Sequence, residues 1–385
     1  MKRSNLKEMD FLQDIKLIQS EYYEKYGHYP INVSDWNPST EFKEKVQHLI
    51  EMDNKFNAID YVFSYSFSQK QHAEILKNLG YENNQGERTT LITPNGSSSI
   101  RNVLHWLKEN HFTKLLTISP TYFTVFCGCN DFGIEYKEIF LQRNDFLFHI
   151  DEDKLFYEVR NADAVWITSP VYCTSTYFDN TMINAFIKIL EMGKIVIADE
   201  SLCTSEHELL RRLGSYKNFI GIYSPHKSIC VNGNKFSVIT FAKEEAALFN
   251  DWVVALSGNL LISNGIAVNH YLSDDFKVYS NAFEQEIQSN FTKLKVLLKQ
   301  MDIDYDCKAQ GYLITLYFPN ISGEKGYDKN FLKDIIFHTG TTLIPGIRNH
   351  FGAELGFCFR INLCCLTSQM LMSLKRLILY LKSND

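Results

Sequence analysis

A lysine and an acid each follow a short apolar run in the middle of the chain. Lys227 comes soon after the run 219–222, and Asp199 follows directly on the run 195–198. Both runs have the length and composition of buried strands, so we expect each residue near the end of a strand. A lysine amine forms a Schiff base with an aldehyde, and a carboxylate keeps a pyridine nitrogen protonated. Together they are what pyridoxal 5'-phosphate (PLP) chemistry needs.

Other residues near strand ends could hold the rest of such a cofactor. Gly96, Ser97 and Ser98 lie between a predicted strand and a predicted helix, where backbone N–H groups bind anions. Tyr122 follows another strand, and an aromatic ring at that edge of a sheet can stack on a flat heterocycle. A serine N-cap and a core tyrosine are the ordinary structural alternatives.

Two more charged residues sit in apolar surroundings. Arg360 interrupts the apolar stretch 357–363, and its planar fork fits a carboxylate in a bidentate way. A structural ion pair is the alternative for this arginine. Glu200 points away from Asp199 in an extended chain, so we expect it to make structural hydrogen bonds.

The elements that must position these residues alternate between strand and helix from residue 91 onward. Continuous apolar strands of this kind predict a mostly parallel sheet with helices on both faces. Long helices follow from about residue 243 to 301, and the remainder reads as a smaller α+β unit. We therefore expect an N-terminal segment (1–60), a large domain (61–272) and a small C-terminal domain (273–385). The predicted strands are 91–92, 115–118, 134–136, 164–168, 195–198, 219–222 and 237–240, with helices at 7–26, 41–52, 100–109, 122–129 and 180–192.

Composition excludes several classes of function. The 385 residues are 45% hydrophobic and 22% charged with a net charge of −6, so no field favours nucleic acid. No run approaches 18 apolar residues and the N-terminus lacks a signal-like apolar region, so we expect neither a membrane span nor secretion. The nine cysteines lack zinc-site spacing, which favours reduced thiols in a cytoplasmic protein and no metal.

Taken in chain order, these residues resemble the class I/II aminotransferases, a family of PLP fold type I enzymes. The resemblance covers roughly residues 90 to 365 and identifies the chain as a divergent member. It is carried by the following pieces: Gly96-Ser97-Ser98, Pro120-Thr121-Tyr122, Asp199-Glu200, Ser224-Pro225-His226-Lys227, Gly233 and Lys235, Pro345-Gly346 and Arg360-Ile361-Asn362-Leu363.

The resemblance implies a role for each matched residue. Lys227 would form the Schiff base with PLP and shuttle a proton, while Asp199 would hold the pyridinium and Tyr122 would stack on the ring. Arg360 would bind the α-carboxylate of an amino acid or keto acid. The phosphate ligands would be Gly96, Ser97, Ser98, Ser224 and Lys235. A homodimer is implied too, in which Tyr65 reaches the partner's phosphate.

The chain departs from the family pattern where the cofactor's phenolic oxygen would lie. The usual Asn-Pro-x-Asn-Pro-Thr-Gly is replaced by residues 169–175, which puts Tyr172 in the place of the asparagine. Leu202 stands where the family favours tyrosine, so Tyr172 would be the one remaining donor, and we count it with the catalytic residues. Lys235 replaces an arginine and loses its planar fork.

These departures leave two enzymatic functions open. The first is an aminotransferase acting on an α-amino acid and a keto acid through Lys227. The second is a PLP-dependent lyase, cyclase or oxidase of specialised amino-acid metabolism, such as natural-product biosynthesis. A PLP-sensing regulator is disfavoured because no basic recognition helix is evident.

Overall fold

Strands and helices alternate along most of the chain. The computed structural model describes residues 7–50, 61–82, 86–144, 146–204 and 207–383. The helices in these ranges are α1 (Lys7–Tyr26), α2 (Thr40–Ile50), α3 (Gln69–Asn78), α4 (Gly96–Glu109), α5 (Thr124–Phe132), α6 (Glu152–Arg160), α7 (Asn180–Glu191), α8 (Glu208–Leu213), α9 (Pro225–Ser228), α10 (Ala246–Ser257), α11 (Ile262–Tyr271), α12 (Asp274–Gln300), α13 (Lys329–Thr339) and α14 (Ser368–Ser383). The strands are β1 (Ile31–Asn32), β2 (Arg88–Thr93), β3 (Lys114–Ser119), β4 (Glu135–Phe140), β5 (Gln142–Asn144), β6 (Leu147–His149), β7 (Ala164–Thr168), β8 (Ile195–Asp199), β9 (Phe219–Tyr223), β10 (Ser237–Ala242), β11 (Asp304–Tyr305), β12 (Leu313–Phe318), β13 (Thr341–Thr342) and β14 (Phe357–Asn362).

A seven-stranded sheet forms the centre of the molecule. Its strand order is β2-β10-β9-β8-β7-β3-β4, in which β10 runs antiparallel to both neighbours and the other pairs are parallel. Parallel neighbours put the carboxyl ends of β3, β7, β8 and β9 along one edge. Loops that follow these strands therefore meet at that edge.

Both faces of this sheet are covered, as continuous apolar strands predict. Alternate residues of β8 belong to different cores: Ile195 and Ile197 pack with the face that carries Trp106, whereas Val196 and Ala198 join the larger core. Every residue of β7, β8 and β9 is buried. The predicted fold class, a mostly parallel sheet between helices, is confirmed.

A smaller α+β unit follows the long helix α12. It contains the antiparallel sheet β11-β12-β14, and its helices α13 and α14 pack together. The N-terminal segment lies against this unit, because β1 pairs with β13 in parallel and α1 contacts α13. Two ion pairs connect α1 with α13, namely Lys329–Asp14 at 2.6 Å and Lys333–Glu21 at 2.5 Å.

The predicted elements occur with shifted ends. Helix α4 starts at Gly96 rather than at 100, because the Asn95 side chain caps it by accepting a hydrogen bond from the Ser98 amide at 3.0 Å. Helix α5 starts at Thr124 rather than 122, and residues 51–52 of the predicted helix 41–52 lie outside the described ranges. The hydrophobic pattern of the sequence did not predict α3, α6 or the β5–β6 hairpin. Of the helices described, none combines the length and apolar character that a bilayer crossing requires.

Candidate active site

Lys227 stands beyond the carboxyl end of β9 on the four-residue helix α9. Its Nζ lies 5.0 Å from the ring centre of Tyr122 and 5.4 Å from that of Trp36. Among the described residues no hydrogen-bond or ion-pair partner faces this Nζ. The main chain is held from the opposite side, because the hydroxyl of Tyr312 donates to the Lys227 carbonyl at 3.1 Å. The amine is therefore carried by an anchored main chain and is available for reaction.

A cavity of about 720 Å³ opens in front of this amine. Most of the residues predicted from the sequence line it: Gly96, Ser97, Tyr122, Tyr172, Ser224, Lys227, Lys235 and Arg360. A small adjoining recess is lined by Asp199 together with Tyr122, Tyr172 and Lys227. The carboxyl ends of β3, β7, β8 and β9 thus bring distant parts of the chain to one place.

Asp199 closes β8 as a buried carboxylate. One oxygen accepts a hydrogen bond from the Ser201 amide at 3.0 Å. Burial raises the pKa of this carboxyl above its ordinary value, while Ser201 and the positive charge of Lys227 pull it back. A protonated ring nitrogen placed in the recess would supply the cationic partner that a buried carboxylate needs.

One end of the cavity is built to receive an anion. Gly96 and Ser97 are the first residues of α4, a 14-residue helix, and both line this end of the cavity, where the amides of a helix start favour an anion. Gly96 approaches Ser224 so closely that an added Cβ would lie 3.1 Å from the Ser224 Oγ. The half-buried Lys235 completes this end, and burial together with Lys227 lowers its pKa. The positive charges of Lys227 and Lys235 act on each other at this end of the cavity, and such a concentration of cations favours a phosphate ligand.

Arg360, at the other end, is a buried cation without an acidic partner among the described residues. Its Nη1 donates to the Sγ of Cys173 at 3.6 Å, and its Cζ lies 4.5 Å from the ring centre of Trp36. Burial raises the pKa of the Cys173 thiol, so that group is neutral and leaves the guanidinium charge uncompensated. The structural ion pair considered as an alternative for Arg360 is therefore absent from the described residues, and the site suits a carboxylate.

Tyr172 lines both the cavity and the adjoining recess. Its ring centre is 5.9 Å from that of Tyr122, and its side chain is 3% exposed. Burial raises its pKa well above the ordinary value, so the phenol stays protonated and can donate a hydrogen bond. Leu202 lines the same recess as Asp199 and supplies no donor.

Two predicted residues are not brought to the cavity of this chain. Ser98 turns toward Asn95, to which its amide donates at 3.0 Å and its hydroxyl at 3.3 Å. Tyr65 is 66% exposed and stacks on Phe63 at 4.9 Å between ring centres. Its expected contact is with a partner subunit, so this placement leaves that prediction standing.

Glu200 makes structural hydrogen bonds, as expected. Its carboxylate oxygens accept from the amides of Leu209 and Leu210 at 3.3 and 3.2 Å. Cys203 and His207 lie beside it, each with a possible ligand atom within 4.8 Å of the others. The carboxylate is nevertheless engaged by the start of α8, and this cluster does not reach the cavity.

Sequence reasoning missed several residues of the cavity wall. Asn95 caps α4, Asn232 follows α9, and Trp36 comes from a turn near the N-terminus. For Trp36 a signal was available in the sequence, because a large apolar side chain is uncommon in a polar turn. Cys173, which contacts Arg360, carried no signal in the sequence.

The overall fold matches solved structures of known enzymes. The chain is 17% identical to N-succinyldiaminopimelate aminotransferase from Mycobacterium tuberculosis (TM-score 0.72, covering 94% of this chain and 95% of that one). It is 12% identical to a single mutant of Thermus thermophilus aspartate aminotransferase (0.73, 98% and 96%). It is 16% identical to a PLP-bound C-S lyase from Staphylococcus hominis complexed with L-cycloserine (0.71, 95% and 96%). No protein-family model and no curated protein matches the sequence.

At these identities the likeness establishes the fold. The chain has the architecture of the PLP fold type I enzymes, and the fold expected from the resemblance is confirmed.

Proposed function

We propose that this protein is a PLP-dependent aminotransferase that acts on an α-amino acid through Lys227. The observation that carries the proposal is the convergence of Lys227, Asp199, Tyr122 and Arg360 from four separate segments on one cavity system. Each has the chemistry that one part of the cofactor or substrate requires. All three neighbours described above are PLP enzymes or aminotransferases, which supports the same reading.

The residues present fit PLP on grounds independent of the neighbours. Lys227 offers an amine without a hydrogen-bond or ion-pair partner among the described residues, and the buried Asp199 forms no ion pair with any of them. Gly96 and Ser97, the first residues of α4, line the cavity, so their amides are placed where a phosphate could bind. PLP, when bound, supplies an electron sink that stabilises negative charge at the substrate α-carbon.

Each residue of the site would then have its own role in binding or catalysis. Arg360 binds the α-carboxylate and orients the substrate so that its α-carbon faces Lys227. The Lys227 Nζ takes the proton from that carbon and returns it to another atom, as a general base and then an acid. Asp199 keeps a proton on the ring nitrogen, and Tyr122 covers one face of the ring. Tyr172 would donate to the phenolic oxygen, while Gly96, Ser97, Ser224 and Lys235 would hold the phosphate; Ser98 turns to Asn95 instead.

A second function is favoured by one observation. The phenolic oxygen would receive a single phenol donor, Tyr172, because Leu202 contributes none. This changes how strongly the ring withdraws electrons, and a PLP-dependent lyase, cyclase or oxidase begins with the same proton removal. The C-S lyase among the neighbours has this fold.

Reduction with borohydride tests cofactor attachment. We expect peptide mass spectrometry to find the reduced cofactor on Lys227, and Lys227→Ala to abolish the adduct. Lys243→Ala, which alters a lysine outside the cavity lining, is the control and should retain it. An adduct that persists in Lys227→Ala would refute the proposal.

Product analysis separates the two functions. An aminotransferase should convert an amino acid to its keto acid with accumulation of pyridoxamine phosphate, and a second keto acid should reverse this. Release of ammonia with an unsaturated or cyclic product would instead identify the second function.

We also propose a cytoplasmic homodimer with the domain boundaries given above. All nine cysteines are free thiols, which suits a reducing compartment. The exposed Tyr61 and Tyr65 stack on either side of the half-buried Phe63, with 5.8 and 4.9 Å between successive ring centres. Exposed aromatic rings of this kind are typical of subunit interfaces, where Tyr65 would reach the partner's phosphate.

A further inference from the structure

We infer that the substrate carries a bulky apolar side chain, aromatic or long aliphatic, and that Trp36 is the residue that selects it. The inference rests on the proposed function and extends it to a class of substrate. It depends on where Trp36 lies, on how it is held, and on the charges around the cavity.

Trp36 lies beside both groups that would fix the substrate. Its ring centre is 4.5 Å from the Arg360 Cζ and 5.4 Å from the Lys227 Nζ. A substrate with its carboxylate at Arg360 and its α-carbon at Lys227 must pass along the indole. The first atoms of the side chain then contact an aromatic surface.

The loop that carries Trp36 is firmly attached. The Trp36 carbonyl accepts from the Asn232 Nδ2 at 2.8 Å and from the Cys230 Sγ at 3.1 Å. The preceding residues bind β14, since Ser34 donates to the Arg360 carbonyl at 2.5 Å. The indole is therefore a preorganised wall, and binding against it costs little ordering.

Much of the remaining surface of the cavity is apolar, although Asn232, Arg348 and Asn349 also line it. Phe11 and Leu12 of α1, Phe123 after β3 and Ile344 after β13 contribute to its lining. These side chains extend the cavity beyond the groups needed for the cofactor and the α-carboxylate. An apolar substrate side chain that covers them displaces water from both surfaces.

The charges of the lining disfavour polar side chains. Among the described residues that line the main cavity none is acidic, so a substrate ammonium or guanidinium would lack a counterion. In the proposed function, Lys227 and Lys235 already bind the cofactor and Arg360 binds the α-carboxylate, so none of them is left for an acidic substrate side chain. Arg348 lies 4.4 Å from the Phe11 ring and 4.3 Å from the Tyr327 ring, and its Nε donates to the Gly326 carbonyl at 3.3 Å. An acidic side chain would have to draw Arg348 away from these contacts.

Calorimetric binding of carboxylates that lack an amino group tests the inference without turnover. The ligands are 3-phenylpropionate, succinate and 4-guanidinobutanoate, each titrated into the PLP-loaded protein. We expect 3-phenylpropionate to bind at least about tenfold more tightly than the other two. Equal or tighter binding of succinate or of 4-guanidinobutanoate would overturn the inference.

Variants of the cavity wall then test whether Trp36 determines the preference for an apolar ligand. Trp36→Ala should weaken 3-phenylpropionate about tenfold with little change for succinate, whereas Trp36→Phe should retain binding within about threefold. Leu12→Ala should weaken it a few-fold, and Leu17→Ala, which alters an exposed leucine of the same helix, is the matched control. An unchanged 3-phenylpropionate affinity in a folded Trp36→Ala protein would exclude Trp36 as the selecting residue.

The two proposals fail in different ways. If the wild-type protein retains no PLP after dialysis, as measured by absorbance, both the proposed function and the substrate inference are refuted. A protein that retains PLP on Lys227 but prefers succinate would end the substrate inference alone.

Discussion

Tyr172 stands where the sequence departs from the motif of the family that it resembles. Its phenol is buried and protonated, and it faces the recess shared by Asp199 and Lys227. A neutral phenol donates a single hydrogen bond, so the electron density on the phenolic oxygen depends on this residue alone if Leu202 contributes nothing. In the proposed function, the type of reaction would therefore depend on this one hydroxyl group.

Replacement of Tyr172 by phenylalanine should weaken PLP binding about five- to tenfold, because one buried hydrogen bond is lost. The absorption maximum of the bound cofactor should shift and depend differently on pH. Equilibrium dialysis and a spectrophotometric pH titration measure these effects. Tyr177→Phe is the control, since that hydroxyl donates to the Gln310 carbonyl outside the cavity lining. An unaltered spectrum in Tyr172→Phe would show that the phenol does not reach the cofactor.

Glu200 should make the stability of the cofactor-free protein depend on pH. Burial raises its pKa from 4.5 to about 8, although the amides of Leu209 and Leu210 lower it. The folded state then binds more protons than the unfolded state between these two values, so the free energy of unfolding falls as the pH rises. From pH 5 to pH 8 this loss amounts to roughly 3 kcal/mol.

Urea unfolding at several pH values checks that expectation. Glu200→Gln should give a flatter pH profile, at a constant cost of about 1 kcal/mol for the weakened backbone hydrogen bond. Glu324→Gln changes an exposed glutamate and should leave the slope as in the wild type. Identical slopes in all three proteins would contradict the assignment.

The start of α4 illustrates how an element can create a binding site. The helix begins directly after β2, and its cap at Asn95 leaves the amides of Gly96 and Ser97 near Ser224 and Lys235. Ser224 is oriented by hydrogen bonds to the hydroxyls of Ser201 at 3.2 Å and of Ser237 at 3.0 Å. An added methyl group would disturb this arrangement.

Gly96→Ala should therefore weaken the binding of PLP about tenfold, because the new Cβ would lie 3.1 Å from the Ser224 Oγ and displace it. Gly233→Ala is the matched control, since a Cβ there meets nothing within 4 Å. Fluorescence titration of the two variants with PLP measures the difference. Equal affinities would mean that the phosphate lies elsewhere.

The molecule as a whole presents an open cavity and, apart from it, the exposed aromatic rings of Tyr61 and Tyr65. If two chains associate through Tyr61, Phe63 and Tyr65, each cavity receives Tyr65 from its partner. Symmetry then requires two equivalent sites, each built from both chains.

Mixed dimers test this sharing. Lys227→Ala should be inactive and Tyr65→Ala strongly impaired, yet an equal mixture after subunit exchange should regain about a quarter of the wild-type activity. Half of the dimers would be mixed, and each would contain one intact site. Tyr157→Ala, which changes another exposed tyrosine, should behave as the wild type. No recovery on mixing, or full activity of Tyr65→Ala alone, would contradict a shared site.

Prediction from the sequence succeeded where a local pattern has a direct structural meaning. The strands β7, β8 and β9 were predicted within one residue at their ends, because a short apolar run between turns is a strong local signal. Short or half-exposed elements such as the β5–β6 hairpin were not predicted, since three-residue strands carry almost no periodicity.

The sequence by itself determined the fold class and the set of charged and aromatic residues with no ordinary reason to be buried. Only the tertiary structure decided which residues meet, because the contacts of Lys227 and Arg360 with Trp36, which sequence reasoning missed, depend on packing across segments far apart in the chain. It also decided that Ser98 turns to Asn95 while Ser97 faces the cavity. The direction of one side chain at a helix start follows from the cap that forms there, and residue order alone does not fix that cap.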